Sequence, residues 1–449
     1  MIKAAAFAGL GLLAAGVVAC AGHGSSPISP PVQGIATHAS SGTGVPPGLI
    51  DHVVIIVQEN RTPDYLFQGL RGADISNTAV DWTGQTVPLH QVSLSGNYDP
   101  PHGHPNFLTD YNNGKMNGFN KGLRRSQRLL PFGYAPFAEV RPYHLMARQY
   151  AFADHMFQTN EGPSFAAHLY LISGTASDRR LKPDLVEDDP HNKYTGGATS
   201  GGCDAPKAAF VLTIDPYDAS PGPTPFPCFN PKVLTDLLDA KNASWRYYQN
   251  NAGAGLWQAF DAIRHVRYGP DYANVVWPSQ TALSDIAKNR LANVSWVIPQ
   301  GTWSDHAGSH SAKGPAWVSA IVNAIGQSSY WNSAVIFVLW DDWGGWYDHV
   351  RPPIDNHYEL GFRVPLIVIS PYAKRGYVSK ARHEFGSILA FTEEAFGIPK
   401  GSLGTTDVRA DDLHDVFDFG QAPRAFVHIQ APPFKPAAID DQHADDEDP

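Results

Sequence analysis

Two short apolar runs, far apart in the chain, each end abruptly in acid. Val53-Val54-Ile55-Ile56-Val57-Gln58 leads into Glu59-Asn60, and Val335-Ile336-Phe337-Val338-Leu339-Trp340 leads into Asp341-Asp342. Runs this short and this continuously apolar read as buried strands of a sheet covered on both faces. Side chains at the carboxyl ends of such strands face the crevice where an open α/β sheet takes its ligands. Glu59, Asn60, Asp341 and Asp342 are therefore expected at one sheet edge. Buried carboxylates gather only where positive charge compensates them, and a bound metal cation is the simplest compensation. Either pair alone reads better as a strand-end turn or a helix cap. The two together, with the serine candidate below, favour the cation.

Further strand-like runs at 245–248, 294–298 and 364–370 alternate with helical patterns. One helical pattern enters at Pro315, places Trp317, Val318, Ile321 and Ile325 on one face and closes at Gly326. Another is capped by Ser387 and closes at Gly397. Strands alternating with helices predict an α/β fold with a largely parallel central sheet and helices on both faces. Residues 178–227 break the alternation and read as an insertion. Catalysis is expected in one domain, residues 49–431.

The N-terminus reads as an export signal over residues 1–20. Lys3 precedes an apolar stretch over 4–19, shorter than the ~20 residues that span a bilayer. Val17-Val18-Ala19-Cys20 resembles a bacterial lipobox, which predicts a lipid anchor on Cys20 and a periplasmic or cell-surface protein. Residues 21–48, rich in Gly, Ser and Pro, read as a flexible tether. In an exported chain Cys203 and Cys228, flanking Pro216, Pro221, Pro223, Pro225 and Pro227, read as a disulfide. Six of the ten net negative charges fall in the last ten residues, within the tail over 432–449, which is expected to be disordered. The remainder is near neutral, which argues against a nucleic-acid partner. The sequence sets no oligomeric state.

Gly162-Pro163-Ser164 precedes Phe165, Leu169 and Ile172 at helical spacing, ended by Gly174. A serine at a helix start is well placed for nucleophilic attack on a phosphoester, since the helix N-terminus favours anions. Plain helix capping is the competing reading. His168, one turn on, reads slightly better as a packing residue. His102 lies in the turn-rich Asp99-Pro100-Pro101-His102-Gly103-His104-Pro105, His306 follows Ser304-Asp305, and His349 follows Asp348. A carboxylate beside each predicts a held tautomer or a raised pKa. His383 is a weaker candidate.

These segments together resemble the bacterial phosphoesterase family of phospholipases C and acid phosphatases, within the alkaline phosphatase superfamily. The resemblance runs from His52 to Phe419. It is carried by Gln58-Glu59-Asn60-Arg61, the block from Gly114 to Phe119, Gly162-Pro163-Ser164 with the helix that follows, Ser304-Asp305-His306, the block from Asp341 to Val350, and Phe417-Asp418-Phe419. It implies an alkaline-phosphatase-like fold and a metal held by Glu59, Asn60, Ser164, Asp341 and Asp342. It also implies phosphate-lining histidines at His102, His306 and His349. Two departures stand out: Thr62-Pro63-Asp64 replaces the usual Ser-Phe-Asp, and Asp341-Asp342-Trp343 replaces the common Asp-Glu-His.

The reading is a membrane-tethered phosphoric ester hydrolase with a Ser164 nucleophile, a phosphoserine intermediate and one divalent ion. Oxygen donors favour Ca²⁺, Mg²⁺ or Mn²⁺ over Zn²⁺. The rivals are a non-catalytic surface lipoprotein of the same fold and a sulfatase-like hydrolase. The substrate is expected to be a phosphomonoester or a phospholipid-type diester. No aromatic-basic patch for lipid capture stands out, which leans toward monoesters or small diesters.

Overall fold

The computed structural model describes residues 44–435. The export segment, Cys20, residues 21–43 of the tether and residues 436–449 of the acidic tail lie outside the described residues. The expected domain bounds are narrower than the folded body. Val45 is buried and its N–H donates to Glu394 Oε1 at 3.0 Å, so the body begins before residue 49. At the other end the Phe434 ring lies 4.9 Å from that of Trp303 and 5.0 Å from that of Trp317, beyond residue 431. Among the described residues no helix is long and apolar enough to cross a membrane.

The centre is an eight-stranded sheet. Its strands are β1 (His52–Gln58), β2 (Ala151–Ala153), β3 (Trp245–Tyr248), β4 (Val275–Val276), β5 (Val294–Val297), β6 (Ala334–Trp340), β7 (Leu366–Ile369) and β8 (Tyr377–Ser379). They lie in the order β4-β3-β5-β1-β6-β7-β2-β8. Neighbours pair in parallel except β7, which runs antiparallel to both β6 and β2. The predicted α/β class and largely parallel sheet are present. β1 and β6 sit centrally because each is apolar on both faces: Val53–Val57 and Ala334–Trp340 are wholly buried. Burying each large aliphatic side chain contributes about 1.5–3 kcal/mol.

The helices that matter for function are α1 (His104–Tyr111), α2 (Phe137–Gln149), α3 (Ser164–Ser173), α4 (Gly314–Gly326) and α5 (Phe385–Ala395). Ser387 does not cap α5 as expected. Glu384 is the cap, and Ser387, three residues on, accepts the Glu384 N–H through Oγ at 3.1 Å. The insertion contains two small antiparallel strand pairs and the predicted Cys203–Cys228 disulfide. A second, smaller core gathers Phe107, Phe119, Phe132, Trp343, Tyr347 and Phe362 beside the main one.

Candidate active site

β1 and β6 pair with Gln58 opposite Trp340, so Glu59-Asn60 and Asp341-Asp342 emerge together as the next step at one sheet edge. All four are buried. The Asn60 N–H donates to Asp341 Oδ1 at 3.1 Å, and the Asp342 N–H donates to the same oxygen at 2.8 Å. Asn60 adopts a left-handed φ of 58°, which asparagine tolerates better than most residues. Gly344 packs against that turn: a Cβ there would stand 2.4 Å from Asn60 O.

Ser164 joins this group from the far side. It is the first residue of α3, with Pro163 as the cap, so its hydroxyl is not used for capping. Ser164 Oγ lies 3.1 Å from Asp342 Oδ2 and 3.4 Å from Glu59 Oε2. The helix end is less open to anions than the sequence implies, since Asp189, from the insertion, accepts the Phe165 N–H at 3.0 Å.

His168 corrects the sequence reading. Its Nε2 lies 3.2 Å from Glu59 Oε1 and 3.7 Å from Asp341 Oδ2, inside the acidic group. The signal was present in the sequence, because residues i and i+4 share one helix face. Two other histidines arrive from separate loops. His102 Nδ1 donates to Pro100 O at 2.7 Å, and His306 Nδ1 donates to Ala307 O at 2.6 Å. Backbone carbonyls are the hydrogen-bond acceptors of both Nδ1 atoms, and Asp99 Oδ1 stands 4.0 Å from that of His102. Asp305 instead accepts from Tyr143 Oη and Trp340 Nε1, and burial raises its carboxyl to about 6. Gly345 lets the His102 loop close in, since a Cβ there would lie 2.5 Å from Pro100 Cβ.

Those tautomers decide what the site can hold. One end of the Asn60 carboxamide lies 3.0 Å from His102 Nε2 and 3.3 Å from His306 Nε2; the other lies 3.1 Å from Glu59 Oε2 and 3.3 Å from Asp341 Oδ1. A neutral histidine that donates through Nδ1 presents a lone pair at Nε2. With both histidines neutral, the amide nitrogen sits on the histidines and the amide oxygen against two carboxylates. A cation shared among those oxygens compensates that orientation; in the opposite one the amide nitrogen donates to Glu59 and Asp341 and its oxygen accepts from the two histidines as imidazoliums. Asp341 Oδ2 is also buried without a hydrogen bond, and Glu59, His168 and Asp341 offer ligand atoms within 4.8 Å of one another. Arg61, the next residue along, does not supply the charge. Its guanidinium donates to Asn60 O at 2.8 Å and stacks over Tyr65 and Trp346. The donors present fit a divalent metal ion.

Not every predicted residue converges here. His349 is held elsewhere, its Nδ1 2.8 Å from Asp64 Oδ2 and its Nε2 3.1 Å from Asp74 Oδ1. Asp348 beside it is clamped by Arg363, and this anchors His349 away from the Ser164 group. His383 pairs with Asp411 at 2.9 Å and with Ser379 at 3.0 Å. Trp343, where a histidine is common, places its ring 6.1 Å from that of His102.

A sequence model described as the phosphoesterase family matches residues 50–399. The chain belongs to the phosphoesterase family. It is 25% identical to phospholipase C A of Mycobacterium tuberculosis, over 84% of this chain and 78% of that one. Against the non-hemolytic phospholipase C of Pseudomonas aeruginosa the identity is 24%, over 82% of this chain and 57% of that one. A solved structure of an alkaline phosphatase superfamily protein from Vibrio parahaemolyticus is 12% identical, covering 82% of this chain and 70% of its own, with a TM-score of 0.38. This family member is an ester-bond hydrolase acting on phosphoesters.

Proposed function

We propose that Ser164 is the nucleophile of a metal-dependent hydrolase whose substrates include phospholipid-type phosphodiesters. The observation that carries this is the Ser164 hydroxyl within hydrogen-bond distance of two buried carboxylates, those of Glu59 and Asp342. A divalent ion held by Glu59, Asn60, Ser164, Asp341 and Asp342 would neutralise those carboxylates and favour the serine alkoxide. Ser164 gives its proton toward Asp342 Oδ2 and attacks phosphorus in line, forming a phosphoserine as the leaving oxygen departs. Protonated, His102 and His306 would offer their Nε2–H groups, beside Asn60, as donors to the phosphate. One of them, as imidazolium, hands a proton to the departing alkoxide. Water then hydrolyses the phosphoserine.

His168, donating to Glu59, orients a carboxylate of the ring. The hard oxygen donors favour Ca²⁺, Mg²⁺ or Mn²⁺, one ion per chain. The diester preference rests on the relatives' description as phospholipases C. Export and a Cys20 anchor complete the reading, and release of the protein in soluble form from cells with Cys20 intact would remove the anchor.

The test is Ser164→Ala, assayed on p-nitrophenyl phosphate and p-nitrophenyl phosphorylcholine. Turnover of both falls at least about 1000-fold with the fold intact. A variant keeping a tenth of the parental rate removes Ser164 from this role, and two tightly bound zinc ions per active chain would overturn the choice and count of metal.

A further inference from the structure

Between Tyr111 and Ala138 the chain contains Lys115, Lys121, Arg124, Arg125 and Arg128 and not one acid. The middle of that stretch is an exposed run of turns in which Lys121, Arg124, Arg125, Arg128 and Leu129 all face solvent. None of these cations forms an ion pair among the described residues. Trp82, distant in sequence, is fixed beside them. Its N–H donates to Asn120 Oδ1 at 3.1 Å, Asn120 Nδ2 donates to Arg128 O at 3.1 Å, and the Arg128 guanidinium stands 5.9 Å from the indole. The indole is nonetheless 42% exposed and Leu129 is 56% exposed. The nearest acid in sequence, Asp81, is engaged in its own turn, where it accepts from Thr83 and Gln85.

We propose that Trp82, Leu129, Lys121, Arg124, Arg125 and Arg128 form a docking surface for an anionic phospholipid bilayer. Clustered cations are drawn to anionic headgroups, and an exposed indole with a leucine beside it suits the headgroup–acyl boundary. A nucleic acid would use the cations but has no use for an exposed leucine. The surface also sits near the chemistry. Phe119 anchors the basic segment by packing on Tyr347 and Phe362, at ring distances of 5.1 and 5.3 Å. The same small core holds Trp343, which packs on His102. The sequence concealed the patch because Trp82 lies far from the basic run in the chain and is brought to it only by the fold. Its presence removes the reason for leaning toward soluble monoesters.

Docking needs no turnover, so it is measured in the full chain carrying Ser164→Ala, and its failure is separable from failure of the hydrolase reading. Partition is compared on vesicles of phosphatidylcholine alone and of phosphatidylcholine with one-third phosphatidylglycerol, for that parent and for added Arg124→Gln/Arg125→Gln/Arg128→Gln. All carry the same N-terminus, so any anchor cancels. Each cation near an anionic surface is worth about fivefold in partition, so the triple change costs about 100-fold at low salt on the anionic vesicles and little on the neutral ones. In the active enzyme the same triple change leaves turnover of p-nitrophenyl phosphate within twofold, showing an intact fold. Equal binding of parent and triple variant to anionic vesicles overturns the proposal. So does a parent that binds duplex DNA more tightly than anionic vesicles.

Discussion

Two buried acidic clusters in this molecule have the same ingredients and opposite fates. Glu59 and Asp341 meet His168, with Asp342 beside them; Asp64 and Asp348 meet His349, with Asp154 joined to them through Arg363. The second cluster contains its own cation. Arg363, wholly buried, grips both oxygens of Asp348 at 2.9 Å, reaches Asp154 at 3.3 Å and lies 4.0 Å from Asp64. Lys380 adds a second contact to Asp154. In the first cluster His168 stands 3.2 Å from Glu59 Oε1 and 3.7 Å from Asp341 Oδ2, while Arg61 is turned onto a backbone oxygen and two rings. A carboxylate group that the chain neutralises is a brace. On the reading proposed above, the other group seats an outside cation.

The largest expected effect separates the two clusters by activity. Glu59→Gln should lower turnover at least about 1000-fold, yet stabilise the metal-free protein by about 1 kcal/mol by removing like-charge repulsion. Steady-state kinetics and urea titration in chelator check both signs. A metal-free loss of stability would mean that Glu59 is braced from within, as Asp348 is.

The converse change is Arg363→Met. It strips the cation that touches all three acids of the brace and should cost about 3–5 kcal/mol of stability, read as the urea midpoint. Next in size is the effect of metal. A divalent ion at about 100 times its dissociation constant should stabilise the parent by about 2.7 kcal/mol and Glu59→Gln far less. Thermal melts with Mn²⁺, Mg²⁺ and Ca²⁺ rank the three, and an ion that stabilises Glu59→Gln as much as the parent would be binding elsewhere.

The legibility of these clusters in the sequence differed for a physical reason. β1 and β6 announce themselves because continuous apolar runs bury on both faces, and the acids that follow are then fixed by register alone. Ser164 and His168 are visible as an i, i+4 pair, though the spacing does not say that both turn toward the strand ends and not into the core. His349 misled because adjacency to Asp348 says nothing of Arg363 and Asp64, which decide where it goes and are brought in by the tertiary fold. The tautomers of His102 and His306 were equally out of reach, being set by carbonyls of their own loops. β2, β4 and β8 went unseen because strands of two or three residues carry no periodicity to detect.

The smallest expected effect bears on whether His349 belongs to the brace or to catalysis. Burial pushes its pKa down, but the hydrogen bond and charge of Asp64 outweigh this, and Asp348 adds to them, so the net value rises to about 9. An unfolded histidine titrates near about 6.5. A folded-state pKa above the unfolded one gives stability that is complete below about pH 6.5 and disappears as pH rises through about 9. The parent should therefore lose stability across that window, and His349→Gln should flatten the slope, being less stable than the parent at pH 6 and equal to it above pH 9.5. Partial exposure of the ring screens the pairing, so the difference at pH 6 stays near about 1 kcal/mol. Its turnover should fall no more than a few-fold, whereas loss of a catalytic acid costs about 100-fold or more. Urea midpoints across pH 6–9.5, set beside turnover of the same variant, decide the matter: a 100-fold loss of rate with an unchanged stability slope would return His349 to the active site.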